Sequence, residues 1–104
     1  MKKIAKLDDL KKGGFLYFDH QNEKAILIRT QKDDLVAYFA TCPHEGKTVM
    51  WDNQLDRILC ECHMALFNVD DGSVYRTGRD VKIKSGLRPI QVMVDHMKAV
   101  FIVD

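Results

Sequence analysis

Four residues in two short segments have the types and spacing to bind metal together. Cys42-Pro43-His44 supplies Cys42 and His44, and Cys60-Glu61-Cys62-His63 supplies Cys60 and His63. Read as Cys-x-His and Cys-x-x-His, the segments offer two thiolates and two imidazoles, with fifteen residues between His44 and Cys60. Each segment brings one ligand of each kind, which suits two unlike metal positions better than one. Two thiolates on one iron and two imidazoles on the other complete a mixed-ligand [2Fe–2S] cluster.

Charge explains what the imidazoles do in such a site. Two ferric ions and two sulfides sum to +2, so four thiolates leave the oxidised cluster at −2 and two leave it neutral. An added electron is then much less opposed. Mixed centres lie at roughly −150 to +300 mV, against about −400 mV for all-cysteine plant-type clusters. Imidazole ring protons also allow reduction to be coupled to proton uptake. The site carries one electron, and nothing in these residues makes it a catalyst.

Other chemistries stand beside this one. A structural zinc uses two Cys and two His, but commonly at C-x₂₋₄-C and H-x₃₋₅-H spacings, which are absent here. Haem attachment needs C-x-x-C-H, and Cys60-Glu61-Cys62-His63 is one residue short of it. A disulfide framework favours an even cysteine count, and the chain has three. Cys and His also occur in cores for packing alone. A zinc-stabilised binding module is therefore retained as an alternative.

The stretch from Cys42 to Gly72 resembles the signature of Rieske-type ferredoxins. It has CPH followed by a small residue at Gly46, then C-x-x-H, Phe67 four residues after His63, and a turn at Asp71-Gly72. Ile4 to Gly13 resembles the family's opening strand and turn, and Leu87 to Val103 its closing hairpin. The resemblance implies an all-β fold, a Rieske-type β-sandwich base with a small cluster-binding lobe carrying two metal-ligand loops. It implies a single domain over residues 1–104, with the lobe at about 41–80 inserted in a base of 1–40 and 81–104. By the same resemblance one [2Fe–2S] cluster is held by Cys42 and Cys60 on the buried iron and by His44 and His63 on the outer iron.

Departures from family patterns narrow the subtype. Respiratory Rieske proteins place a second cysteine in each loop and join the two; here Cys62 matches one position and Lys47 stands at the other. A cluster-loop disulfide therefore cannot form. Those proteins also carry Ser and Tyr after the second His, where Ala65 and Phe67 offer no hydroxyl. Fewer donors to the cluster sulfurs imply a lower potential. Related ferredoxins often have Pro and Gly at Glu61 and Met64, and His63 to Asn68 is closer to carriers of diiron toluene-type monooxygenases than to those of Rieske dioxygenases.

Composition agrees with a small carrier. A chain of 104 residues, 46% hydrophobic and 30% charged, forms one ordered domain near the size where a cofactor adds useful stability. Met1 to Lys6 lacks the apolar run of a signal peptide, and no stretch approaches the ~20 apolar residues of a membrane span. The expected location is the cytoplasm, without membrane attachment. Basic residues are dispersed and lack an aromatic platform, which argues against nucleic acid.

The elements that must position these ligands read mostly as short strands. Leu7 to Gly14 reads as one helical turn with an acidic start and a glycine stop. Phe15–Asp19, Ala25–Thr30, Leu35–Thr41, Ile58–Glu61, Ala65–Val69, Val81–Lys84, Ile90–Val94 and Ala99–Val103 read as strands, the last two joined by a turn at 95–98. Pro89 fits a strand's beginning or a sheet edge. Trp51 is expected to pack rather than relay electrons, His20 and His96 to be exposed, and Lys2, Lys3 and Lys6 to form a solvated arm.

Residues 42–72 hold six acids and two bases, net −4, and the remainder nine acids and fourteen bases, net +5. That imbalance raises the expectation of an acidic lobe docking on a basic partner patch. The function expected is a monomeric one-electron carrier, not an enzyme, between a reductase and a terminal oxygenase of the ring-hydroxylating dioxygenase or diiron monooxygenase type. A small accessory subunit resembling that of NADH-dependent nitrite reductase is the alternative that keeps the cluster.

Overall fold

The computed structural model describes residues 1–43, 46–61, 64–77 and 85–103. Strands β1 (Lys2–Lys6), β2 (Phe15–His20), β3 (Glu23–Arg29) and β4 (Leu35–Phe39) come first. Then follow β5 (Met50–Asp52), β6 (Arg57–Cys60), β7 (Ala65–Asn68) and β8 (Val74–Arg76), and finally β9 (Pro89–Ile90), β10 (Val92–Val94) and β11 (Ala99–Ile102). They form three antiparallel sheets, ordered β1-β11-β10, β2-β3-β4-β9 and β5-β6-β7-β8.

The uninterrupted apolar run Ala25-Ile26-Leu27-Ile28 explains the layering. A strand apolar on both faces must be covered on both, and β3 lies between β2 and β4 in the middle sheet. Ala25 and Leu27 enter one core with Ala37, Phe39, Ile90, Val100 and Ile102. Ile26 and Ile28 enter the other with Tyr38, Trp51, Ile58 and Phe67. Period-2 alternation along β3 therefore serves two cores, with the β1-β11-β10 sheet behind and the β5–β8 sheet in front. The second of these cores also contains Cys42 and Cys60.

Several expectations need correction. The lysines near the N-terminus form a strand rather than an arm: Lys2 pairs with Ile102 and Lys6 with Ala99. A register shift between Lys3 and Ala5 lets consecutive Ile4 and Ala5 both reach the core, while the lysines stay outside, as suits a sheet edge. The expected strand over Ile90–Val94 divides: Ile90 pairs with Ala37 in the middle sheet, and Val92–Val94 pairs with β11. The helical segment shrinks to a 3₁₀ turn at Leu7–Asp9, opened by Asp9 accepting from the Lys6 N–H at 3.0 Å.

His20 is buried, 7% exposed, rather than solvated. It follows Leu16 and Phe18 on the inward face of β2 and stacks on Phe39 with centroids 5.7 Å apart. Trp51 is buried as a packing residue, its indole N–H donating to the Gly13 carbonyl at 3.1 Å. Pro89 opens β9 at the edge of the middle sheet. Strands β5 and β8 were not expected, and Val81–Lys84 lies outside the described residues.

Tyr38 and Gly86 supply two of the contacts that tie the front sheet to the middle one. Tyr38 Oη donates to the Val69 carbonyl at 2.7 Å, and burial, reinforced by Asp71 and Asp70, pushes its phenol up from 10.0 to about 12. The fold holds the neutral phenol, so this stabilisation is complete below pH 10.0 and lost as pH rises towards about 12. Tyr38→Phe is expected to cost ~1–2 kcal/mol, by orphaning the Val69 carbonyl. It should also shrink the loss of stability between pH 8 and pH 11, read by denaturant unfolding at both values.

Gly86 makes the second contact. A Cβ there would strike the Gly72 carbonyl, which itself accepts from the Leu87 N–H at 2.8 Å. Gly86→Ala must push two backbone segments apart and is expected to cost ~2–3 kcal/mol in the same unfolding experiment.

Candidate metal centre

Both candidate ligand segments are loops closed by backbone pairing. The first leaves β4 through Ala40, whose carbonyl accepts from the Val49 N–H at 2.7 Å, and continues through the Thr41–Thr48 bridge. Cys42 N–H then donates to the Lys47 carbonyl at 2.7 Å, and Gly46 N–H to the Cys42 carbonyl at 3.0 Å. Gly46 turns the chain at φ 70°, a conformation that suits glycine. The second loop joins β6 to β7, where Cys60 pairs with Ala65. Met64 sits in it at φ 60°, a physical reason for the glycine that similar ferredoxins often hold there.

Cys42 thus opens its loop just after the Thr41–Thr48 bridge, and Cys60 is the last residue of β6, held by its pairing with Ala65. Cys42 is 1% exposed and Cys60 is 3% exposed, and they share one core with Ala65 and Phe67. Both are thiols rather than halves of a disulfide. Two thiols delivered by separate loops into one apolar pocket fit the thiolate half of a mixed cluster. The imidazole half, His44 and His63, lies outside the described residues, as does Cys62. Accordingly, no group of three or more potential metal ligands occurs among the described residues.

The core that the two cysteines share is otherwise apolar. Ala65 and Phe67 stand two residues apart on one face of β7, and Phe67 is fully buried. Two concavities flank the first loop. One, of about 520 Å³, lies between the loops and is lined by Tyr17, Lys47, Thr48, Met50 and Glu61. Tyr17 Oη donates to the Val49 carbonyl at 2.7 Å; its phenol is raised by burial and then by the Glu61 carboxylate. The other, of about 280 Å³, is bounded by Thr41, Cys42, Pro43, Gly46, Ser85, Gly86 and Arg88. Tyr17, on β2, carried no signal in the motif and is found only through the fold.

Charge is not placed as a count along the chain implies. Antiparallel pairing puts the β5–β6 and β7–β8 turns at the end of the front sheet opposite the Cys60 loop. Asp56 and Asp70 therefore gather with Asp34 around a small polar cavity at that far end. Of the six acids counted over residues 42–72, Glu61 is at the ligand loops among the described residues, and Glu45 lies outside them.

Residues 1–86 match the Rieske [2Fe-2S] domain. The chain belongs to the Rieske [2Fe-2S] domain family. Its cofactor is accordingly a [2Fe–2S] cluster. Solved Rieske structures share the fold. The ferredoxin of carbazole 1,9a-dioxygenase from Nocardioides aromaticivorans IC177 is 23% identical, with a TM-score of 0.76 over 96% of this chain and 93% of that one. The plasma membrane Rieske protein PetC3 from Synechocystis PCC 6803 is 20% identical, with a TM-score of 0.83 over all of both chains.

A third likeness comes from a complex of reduced oxygenase and oxidised ferredoxin in carbazole 1,9a-dioxygenase. It is 21% identical, with a TM-score of 0.77 over 97% of this chain and 99% of that one. At these identities the likeness establishes the nearly all-β Rieske architecture. No curated protein sequence matches the chain. Among the described residues, no helix is long and apolar enough to cross a membrane.

Proposed function

We propose that this Rieske protein is a low-potential one-electron carrier, passing electrons from a reductase to a terminal oxygenase of the ring-hydroxylating dioxygenase or diiron monooxygenase type. The observation that supports this reading best is the pocket of Cys42 and Cys60, buried with Ala65 and Phe67 and without a hydroxyl from either. Likeness to dioxygenase ferredoxins agrees with it. In this reading residues 41–80 form the cluster-binding lobe on a base of 1–40 and 81–104. Cys42 and Cys60 hold the buried iron, and His44 and His63 the outer one. The bound cluster supplies reversible one-electron chemistry; the chain holds it in place, keeps water from the thiolates and leaves its loop end open to partners.

The protein works in the cytoplasm as a freely diffusing monomer. Light scattering on protein purified from its own host at native levels tests this. A species of single-chain mass that accepts one electron and delivers it to a separately purified oxygenase is expected. A chain found only within a large enzyme would support a permanent subunit instead, and a colourless zinc protein would overturn the carrier reading.

A further inference from the structure

Among the described residues the loop end of the molecule is basic, and we propose that it docks on a protein surface whose electron-exchange site is rimmed by carboxylates. The inference rests on the carrier reading and specifies its partner. Lys47 lies on the first loop, at the mouth of the 520 Å³ concavity. Lys24, whose carbonyl accepts from the Ala40 N–H, holds its ammonium 5.1 Å from the centre of the Tyr17 ring that lines that concavity. Arg88 borders the concavity on the other side of the loop and lies over Phe39 at 4.2 Å. Arg76 pairs with Leu66, one residue beyond the second loop's closing pair.

All four cations are exposed. Against them, the described residues of this end set Glu61, Glu23 and Asp19, the strand partner of Lys24. Glu23 is already paired with Arg88 at 2.5 Å, and the Lys2 ammonium joins the same end by donating to the Asp19 carbonyl at 2.9 Å. The local balance among the described residues is therefore five bases to three acids, +2, while Asp34, Asp56 and Asp70 line the small cavity at the opposite end, together with Lys32 and Arg57. The β6 strand alone separates the two ends by about 10 Å, more than a Debye length at physiological salt. A partner approaching the loops thus meets the cations first and the distant carboxylates only through screening solvent. At the same end, on the second loop, exposed Met64 offers an apolar contact, so the complementary surface carries an apolar patch beside its carboxylates.

Salt dependence with a protein partner has the same sign whichever side is acidic, so the test uses small oxidants of opposite charge. Reduced holoprotein is mixed in stopped flow with hexacyanoferrate(III) or hexaammineruthenium(III), each taking one electron per chain. The rate with the anion is expected to fall, and with the cation to rise, as ionic strength increases. Lys47→Glu should lower the anion-to-cation rate ratio about tenfold at ~0.01 M ionic strength and about threefold at 0.15 M.

Lys24→Glu should move the ratio in the same direction and serves if the first variant does not fold. Asp70→Lys should change it less than twofold. The ratio is used because a shift in potential alters both rates together. Inverted salt dependence, or an effect of Asp70→Lys as large as that of Lys47→Glu, would overturn the docking inference alone. Protein without a reducible visible chromophore before mixing would overturn the carrier reading as well.

Discussion

Cys42→Ser and Cys60→Ser are each expected to abolish the native cluster, whereas Cys62→Ser should keep it. Both buried thiols are fixed by backbone pairing, Cys42 at the start of its loop and Cys60 at the end of β6, so neither segment can slide to present a replacement donor. His44→Ala and His63→Ala should remove or transform the cluster, because each iron needs its full tetrahedral set. Cys62 has Lys47 where respiratory relatives carry its bonding partner, which leaves it no disulfide to make within the loops. Wild type and Cys62→Ser should each contain about two irons and two acid-labile sulfides per chain, and the ligand variants far less. Losing the cluster in Cys62→Ser while Cys60→Ser retained it would reverse the cysteine assignment.

A second large effect is expected on the potential. The wild type should lie low in the Rieske range, around −150 mV. Hydroxyl donors near the cluster sulfurs stabilise the reduced, more negative state, and Ala65 and Phe67 provide none. Glu61, adjacent to Cys60, adds a negative charge that further opposes the electron. Phe67→Tyr places a hydroxyl in the core shared by both thiols. If it donates to a cluster-bound sulfur, the potential should rise by about 60 mV, a tenfold shift in the one-electron equilibrium. A redox titration of both proteins reads the difference; a wild-type potential well above zero would contradict the low-potential reading.

Much of this architecture was legible in the chain because the strongest signals were local. The aromatic run at Phe15–Asp19 and the β-branched, apolar run at Ala25–Thr30, bounded by polar turn residues, marked β2 and β3 to within about two residues. The thiols at Cys42 and Cys60 were marked by spacing alone, and the fold places both in one core. Features that depend on distant pairing were not legible. Strands β5 and β8 have three residues each, too few for a periodic pattern, and exist because β6 and β7 offer them edges. Lys2–Lys6 reads as a polar tail until β11 is seen to pair with it.

His20 shows the same limit. Its position after two inward residues of β2 outweighs the polar turn that follows it. Charge along the chain does not translate directly into charge on one surface. A net −4 over residues 42–72 counts side chains that antiparallel pairing sends to opposite ends of one sheet. Basic Lys24 and Arg88, far from the motif in sequence, reach the loop end through β3 and the segment before β9.

The central claim is a cluster held by two thiolates and two imidazoles, and pulsed electron paramagnetic resonance of the reduced protein tests it most directly. The account predicts a one-electron-reduced signal modulated by two strongly coupled nitrogens, from His44 and His63. A paramagnetic cluster without directly bound nitrogen, or protein with one zinc per chain and no signal, would contradict it.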